Sequence, residues 1–302
     1  MKNYQTILMK GVLLSLIVFF TIDSFAQQNA DFESVTVLVN KDALNVCGFV
    51  KEKTDTLDMA LLRVVYRLTY KAAPGVEPRG CEQVLLIGGK FTRSYSSAYE
   101  RVDSMTSELA KEQGKIIFRA EIPLEPVGEV YRDLVKNEFR VLQRFPFQKT
   151  YVVSYTEPVN IPHWTMNPEI ETIGGYQCNK AMAEYGGRTW IAWYTAEIPV
   201  NAGPWKLCGL PGLILHASDS TGTYVFTLQN IGQVAEPIVR CSLPNREQTK
   251  EKWLRSECGF HASPAFYFGN GGKNLFFEKG SSIELGKSWR VVYNPIEWPE
   301  SE

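Results

Sequence analysis

No other part of the sequence holds as many residues with a fixed steric role as Trp190-Ile-Ala-Trp-Tyr-Thr-Ala-Glu-Ile-Pro199 and, just after it, Gly203-Pro-Trp-Lys-Leu-Cys-Gly-Leu-Pro-Gly-Leu-Ile-Leu215. Large and small side chains alternate in the first run, and each face of the predicted strand carries a Trp, so we expect a strand covered on both sides. Pro199 ends it, because proline has no N–H to donate. We call residues 188–215 the central block.

The second run contains a predicted turn, Leu210-Pro-Gly-Leu213. Pro211 suits the second position of a type II turn, and Gly212 suits the third, which needs a positive φ. Gly209 allows a close backbone approach. Because this turn directs the chain that follows it into the sheet, we expect Leu210, Leu213 and Leu215 to be buried. The turn is predicted to be structural, since its residues offer no nucleophile, proton donor or metal ligand.

The run Gly209-Leu210-Pro211-Gly212-Leu213-Ile214 resembles the signature after which the GLPGLI family of Bacteroidetes exported proteins is named. Other segments are similar to the rest of that family's pattern: Gly187-Arg188, Ala192-Trp-Tyr-Thr195, Glu197-Ile-Pro199, Gly203-Pro-Trp205, Val84-Leu-Leu-Ile-Gly88 and Asn294-Pro-Ile-Glu297. The resemblance implies a fold and an exported location. It implies no established activity.

Residues 1–26 have the pattern of a secretory signal peptide. Lys2 and Lys10 precede an apolar core at residues 11–20, and Ser24-Phe-Ala26 supplies small residues for cleavage. The alternative is an uncleaved membrane anchor, but the apolar run is short for a membrane span. We predict a mature N-terminus at Gln27 and a single β domain over residues 27–302. We also expect no transmembrane segment after cleavage. The mature protein is expected in the periplasm, at the outer membrane or outside the cell.

Short β-like segments separated by Pro and Gly dominate the rest of the sequence. The clearest is residues 60–72, where Leu62, Val64, Tyr66, Leu68 and Tyr70 alternate with more polar residues. Two helices are expected, at residues 97–113 and from an Asn245 cap to about residue 257. The pattern predicts a mainly β fold with a single antiparallel, strongly curved open sheet, a bowl or half-barrel. A β-sandwich is the alternative.

Six cysteines in an exported chain suggest disulfides. We predict that Cys178 pairs with Cys208, or that Cys241 pairs with Cys258. The alternative is that several are buried free thiols.

The sequence contains no pattern for catalysis, a metal or a cofactor. The formal net charge is −1, which gives no electrostatic footprint for nucleic acid. His163, His216 and His261 lack metal-ligand spacing. A hydrolase whose carboxylates converge from distant positions remains an alternative, as does an accessory protein of outer-membrane transport or assembly.

Trp190, Tyr194 and Trp205 are the candidate ligand-binding residues, because aromatic rings stack on sugars and apolar groups. The competing interpretation is that they fill the core. We expect a non-enzymatic exported envelope protein that binds an apolar, glycan or peptide ligand on the concave face of the sheet.

Overall fold

The computed structural model describes residues 38–39, 45–51, 53–71, 76–113, 121–146, 151–262, 290–291 and 293–299. The predicted signal peptide and Gln27 lie outside these residues. The chain divides into a small unit, residues 1–44 with 257–293, and a large unit, residues 45–256 with 294–302. Each is described by itself.

Sixteen strands and two helices are described. In chain order the strands are β1 (Leu38–Val39), β2 (Asn45–Cys47), β3 (Thr54–Tyr70), β4 (Arg79–Gly88), β5 (Phe91–Ser96), β6 (Glu121–Pro123), β7 (Glu129–Asp133), β8 (Glu138–Gln143), β9 (Val152–Pro158), β10 (Thr165–Ile173), β11 (Tyr176–Tyr185), β12 (Arg188–Thr195), β13 (Leu213–Asp219), β14 (Tyr224–Cys241), β15 (Asn245–Glu247) and β16 (Arg290–Val291). The helices are α1 (Ser97–Gln113) and α2 (Lys250–Ala262). In the small unit, β1 and β16 form a parallel pair.

The large unit is built on one sheet of twelve strands, in the order β10-β11-β12-β13-β14-β3-β4-β5-β7-β8-β9-β15. The prediction of a single antiparallel sheet is wrong, because β15 runs parallel to β9 at one edge. β15 is a three-residue strand, Asn-Arg-Glu, with no alternation that a sequence pattern could reveal. The sandwich alternative does not describe the large unit either, since these twelve strands belong to one hydrogen-bonded sheet.

The strand predicted at residues 60–72 lies at the centre of this sheet as β3. Its predicted apolar face is confirmed, since Val64, Tyr66 and Leu68 are fully buried while Arg67 on the opposite face is exposed. β3 begins earlier than expected, at Thr54, because residues 54–59 pair with the far end of β14. We call the face that carries Leu68 and the ring of Phe226 the inner face.

The sheet curls around the loop between β12 and β13. Eight strand-to-strand steps separate β12 from β9, which is about 38 Å in a flat sheet at about 4.8 Å a step. Trp205 in the loop nevertheless lies 5.8 Å from the ring of Trp190 on β12. The next residue, Lys206, lies 2.5 Å from Glu157 on β9. The loop therefore fills the space between distant strands of one sheet.

The predicted bounds of the first helix are confirmed, since α1 spans Ser97–Gln113. In α1, Tyr99 and Val102 are buried, but Met105 is 50% exposed. Asp103 is buried instead, because it pairs with Arg144 at 2.5 Å and accepts a hydrogen bond from Phe49 N. The second helix begins later than predicted, since residues 245–247 form β15. Its N-terminal cap is Thr249, whose Oγ1 accepts from Lys252 N at 3.3 Å.

Candidate functional site

Main-chain hydrogen bonds fix the loop of the central block, residues 196–212, to its own strands. Leu213 N donates to Ile198 O and Ile214 N donates to Ala202 O, both at 3.0 Å. The Trp205 amide donates to Ser94 Oγ of β5 at 3.2 Å, and Trp205 adopts a positive φ of 55°. A non-glycine residue in this region carries backbone strain, so the surrounding packing must hold Trp205 in place.

The structural role of the turn stays a prediction, but Gly212 does not have the backbone conformation that we expected. Gly209 has the positive φ, 97°, and Gly212 is not among the positive-φ residues. Gly212 is restricted by space instead, since a Cβ there would lie 2.0 Å from the Thr195 carbonyl oxygen. Leu210, Leu213 and Leu215 are buried, as predicted. Of the other motif residues, Ile214 is fully buried and Pro211 is exposed.

The three candidate ligand-binding aromatics are core residues. Trp190 is fully buried, Trp205 is 4% exposed and Tyr194 is 7% exposed. The Trp190 ring lies between Trp205 at 5.8 Å and Phe226 at 6.2 Å. These rings therefore present no open face on which a ligand could stack. Tyr194 differs in its position, because its hydroxyl lies 3.6 Å from Met166 Sδ at the rim of the inner face.

Beside Trp205, four charged side chains form a cluster in which Lys206 and Glu297 are buried and Glu157 and Lys250 are partly buried. Lys206 Nζ lies 2.5 Å from both Glu157 Oε1 and Glu297 Oε2. Lys250 Nζ lies 2.8 Å from Glu157 Oε2 and 2.5 Å from Glu297 Oε1. Burial alone would lower the pKa of Lys206, but Glu297 and Glu157 outweigh it and the pKa is raised.

Each carboxylate of this cluster is shared by two ammonium groups. The pKa of Glu297 is lowered, because the two lysines outweigh the effect of its burial. Glu297 therefore stays ionised and unable to donate a proton at neutral pH. The cluster joins β9, the loop, the start of α2 and the closing segment (residues 294–298).

Arg188 holds the closing segment from the other side. Its guanidinium donates to Asp219 Oδ2 at 3.0 Å, to Asn294 Oδ1 at 2.7 Å and to the Pro295 carbonyl. Trp298 N donates to Gly186 O at 2.9 Å. Two segments that resemble one family's motifs, Gly187-Arg188 and Asn294–Glu297, thus meet and hold the closing segment on the central block.

The predicted disulfides are not formed: Cys178, Cys208, Cys241 and Cys258 are all free thiols. The Cys178 thiol donates to the carbonyl of Tyr176, two residues earlier, at 3.5 Å. Burial raises the pKa of the Cys178 thiol to about 11. Burial also raises the pKa of Cys208. Both thiols are therefore buried in the local packing, Cys178 on β11 and Cys208 in the loop.

The described residues contain no group of three or more His, Cys, Asp or Glu side chains arranged to hold a metal ion. His163 is exposed, His216 lies half-buried on β13, and His261 lies in the small unit. Burial lowers the pKa of His216. This agrees with their spacing in the sequence, which is not typical of metal ligands.

A polar pocket lies between α1 and the strands β5, β7 and β8. Its interior space is about 10 Å³, and its lining includes Glu100, Glu129 and Arg144. That volume suits about one water molecule, whereas small-molecule sites are typically several hundred Å³. Its charged groups are also paired, since Arg93 contacts both Glu100 and Glu129.

Sequence reasoning missed the charge cluster and one further residue, Arg132, whose side chain is buried beneath the loop. A signal existed for Lys206, which is the only charged residue in an apolar turn between Trp205 and Leu207. Its partners Glu157 and Glu297 are too far away in sequence for any local pattern to identify them.

The described part of the chain contains no helix that is long and apolar enough to cross a membrane. A family model described as "Protein of unknown function (Porph_ging)" matches residues 187–216, which include the whole central block. Comparison with curated proteins finds no match.

Two solved structures are similar to this chain, described as "Structure of PNGF-II in P21 space group" and "Structure of PNGF-II in C2 space group". The identities are 14% and 13%, and the TM-score is 0.43 for both. Each alignment covers 65% of this chain and 32% of the PNGF-II chain, so the chain spans about a third of that protein's length.

Proposed function

We propose that this chain is a non-enzymatic exported envelope protein that binds an extended segment of a partner protein along the free edge of β10. Export and GLPGLI-type membership are part of the proposal. They are supported by the N-terminal pattern of residues 1–26 and by the run Gly209–Ile214. The observation that carries the binding function is the exposed edge of β10.

β10 is the first strand of the twelve-stranded sheet and pairs on one side only, with β11, among the described residues. An edge strand presents unpaired N–H and C=O groups that can pair with another chain. Pro168 lies in the bulge between Asn167 and Ile170, where a proline is tolerated. Unpaired main-chain groups therefore remain on both sides of Pro168.

Two exposed apolar side chains follow this edge, Met166 at 54% and Ile170 at 61% exposure. The bulge places them side by side, since Met166 pairs with Ala181 and Ile170 pairs with Asn179, two residues apart on β11. Both lie on the inner face, where Tyr194 contacts Met166. An added strand would therefore place every second side chain beside them.

The charge of this edge indicates which residues the partner would carry between its apolar ones. Glu169 is satisfied by Lys180 at 2.9 Å. Glu171 is exposed and makes no ion pair within the described residues. We infer that the bound segment alternates apolar and basic residues.

The hydrolase alternative is disfavoured by the state of the close carboxylates Glu157 and Glu297. A carboxylate pair that cleaves a glycosidic bond needs one protonated acid and one free base facing the substrate. Here each carboxylate is already paired with two lysines. Glycan or apolar ligands are disfavoured by the burial of Trp190 and Trp205.

The experiment is a selection of displayed random peptides on the immobilised protein, followed by affinity measurements for the enriched sequences. We expect enriched peptides to alternate apolar and basic residues. Ile170→Lys should weaken their binding at least tenfold, because it places a charge on the apolar edge. Val135→Lys is the matched control, since Val135 is 77% exposed on the turn between β7 and β8.

The proposal fails if the enriched peptides bind Ile170→Lys as tightly as the unaltered protein. It also fails if the selection enriches no peptide above the level found on an unrelated protein.

A further inference from the structure

Arg132 on β7 is a buried charge with few partners. It is only 8% exposed. Within the described residues its guanidinium makes one hydrogen bond, from Nη1 to Asn201 O at 2.8 Å. Its Nε is buried and has no hydrogen-bond partner in the described part of the chain. No carboxylate pairs with it in that part of the chain.

Three other arginines with buried side chains in the large unit each have the carboxylate partner that Arg132 lacks among the described residues. Arg93 contacts Glu129 at 2.6 Å, Arg144 contacts Asp103 at 2.5 Å, and Arg188 contacts Asp219 at 3.0 Å. Each therefore has a protein carboxylate as its counter-ion. Arg132 is the exception among these four side chains.

Burying an unpaired guanidinium costs free energy, and arginine cannot escape that cost by losing its proton. The Nε–Nη2 edge presents two parallel donors, which match the two oxygens of a carboxylate. In Arg132 this edge makes no hydrogen bond to any residue that the structure describes, while Nη1 is anchored. The side chain is thus held with its two-donor edge unused.

Among the described residues, the surroundings of Arg132 offer no anion to fill that place. Its cross-strand neighbours are Thr92 on β5 and Phe139 on β8, both uncharged. Across from it, the loop contributes Asn201 and the thiol of Cys208, on which the Arg132 charge acts. The carboxylate of Glu157, one strand beyond Phe139, is already shared by Lys206 and Lys250.

Asn201 is held in turn by the motif turn, because its Oδ1 accepts from Gly209 N at 2.5 Å. Trp164 Nε1 donates to the Cys208 carbonyl at 2.7 Å. The carbonyl that anchors Arg132 is therefore part of a fixed arrangement rather than of a free loop.

We propose that Arg132 forms a binding site for a single carboxylate group beneath the loop at residues 201–209. A monovalent carboxylate matches the one unpaired positive charge, whereas phosphate at neutral pH would overcompensate it. The site is separate from the β10 edge and does not depend on the peptide-binding proposal. The carboxylate belongs either to a small free acid or to the terminus of a peptide.

The test measures the melting temperature of the full chain in chloride, acetate, inorganic phosphate, N-acetylglycine and N-acetylglycinamide at constant ionic strength. We expect acetate or N-acetylglycine to raise the melting temperature saturably, by about 3 °C at ten times its dissociation constant. A response to both acids indicates a free carboxylate, and a response to N-acetylglycine alone indicates a peptide terminus. N-acetylglycinamide should have no effect, because it lacks the carboxylate.

Arg132→Met should abolish this response, and Arg132→Lys should reduce it at least tenfold in affinity, since Lys keeps the charge but loses the two-donor edge. Arg240→Met is the control, because Arg240 is an exposed arginine whose side chain is 46% accessible. The proposal is overturned if Arg132→Met or Arg132→Lys responds like the unaltered protein. It is equally overturned if neither acid has an effect, or if phosphate or the amide acts as strongly as the acids.

Discussion

At the scale of single residues, Glu125 shows how the interior sets a protonation state. Its carboxyl accepts from Ser96 Oγ and from Gln83 Nε2, both at 2.9 Å, and both donors are neutral. Burial is the main cause that raises its pKa to about 7. Gln83 Oε1 is also buried and has no hydrogen-bond partner among the described residues. The site therefore suits a protonated carboxyl group, which can donate a hydrogen bond.

A pH dependence of stability follows from Glu125. An acid with a raised pKa binds more protons in the folded than in the unfolded state between pH 4.5 and 7, so its contribution to stability falls as pH rises through that window. The expected loss is about 3 kcal/mol. Glu125→Gln should remove this loss, because an amide carries no charge. The check is the free energy of unfolding in urea at pH 4.5 and pH 8.

The comparison for this prediction is Glu82→Gln, which changes an exposed glutamate on β4. That variant should keep the pH dependence of the unaltered protein. If Glu125→Gln and Glu82→Gln have the same pH dependence, the buried carboxyl is not the group responsible.

At the scale of elements, the loop between β12 and β13 depends on main-chain contacts that side chains would block. A Cβ at Gly212 would overlap the Thr195 carbonyl. We therefore expect Gly212→Val to lower the free energy of unfolding by about 3 kcal/mol, the upper range for overpacking. Peptide binding at β10 should change only in proportion to the folded protein lost.

The matched substitution is Gly232→Val on β14, where an added Cβ meets nothing within 4 Å. It should change the free energy of unfolding by less than about 0.5 kcal/mol. A Gly212→Val protein as stable as the Gly232→Val protein would contradict the packing argument. If the Gly212→Val protein were stable but had lost peptide binding, that result would indicate that the turn is a binding site.

The elements also show what local sequence patterns can predict. β3 and the burial of the motif leucines follow from alternation and turn chemistry. The start of α2 does not, because Asn245 resembles a cap but pairs with Val152 on β9, and Thr249 takes its place. The Lys206 cluster could not be predicted, since Glu297 lies 91 residues away and only the folded sheet brings them together.

At the scale of the whole molecule, the large unit uses its inner face for packing and leaves one edge of its sheet open. The central block, the charge cluster and the closing segment fill the space inside the curled sheet. Peptide binding is therefore expected at the rim, where Met166 and Ile170 are exposed, and not among the buried aromatic rings. The large unit thus combines a filled interior with an open edge at which we claim that the peptide binds.

Hydrogen–deuterium exchange of the full chain, with and without a selected peptide, distinguishes binding at this edge from binding in the interior. Strand addition should slow the exchange of amides in β10 on both sides of Pro168, because they gain hydrogen-bond partners. Amides of the loop at residues 196–212 should exchange at unchanged rates. Slowed exchange in the loop together with unchanged exchange in β10 would contradict the claim and return the binding site to the interior.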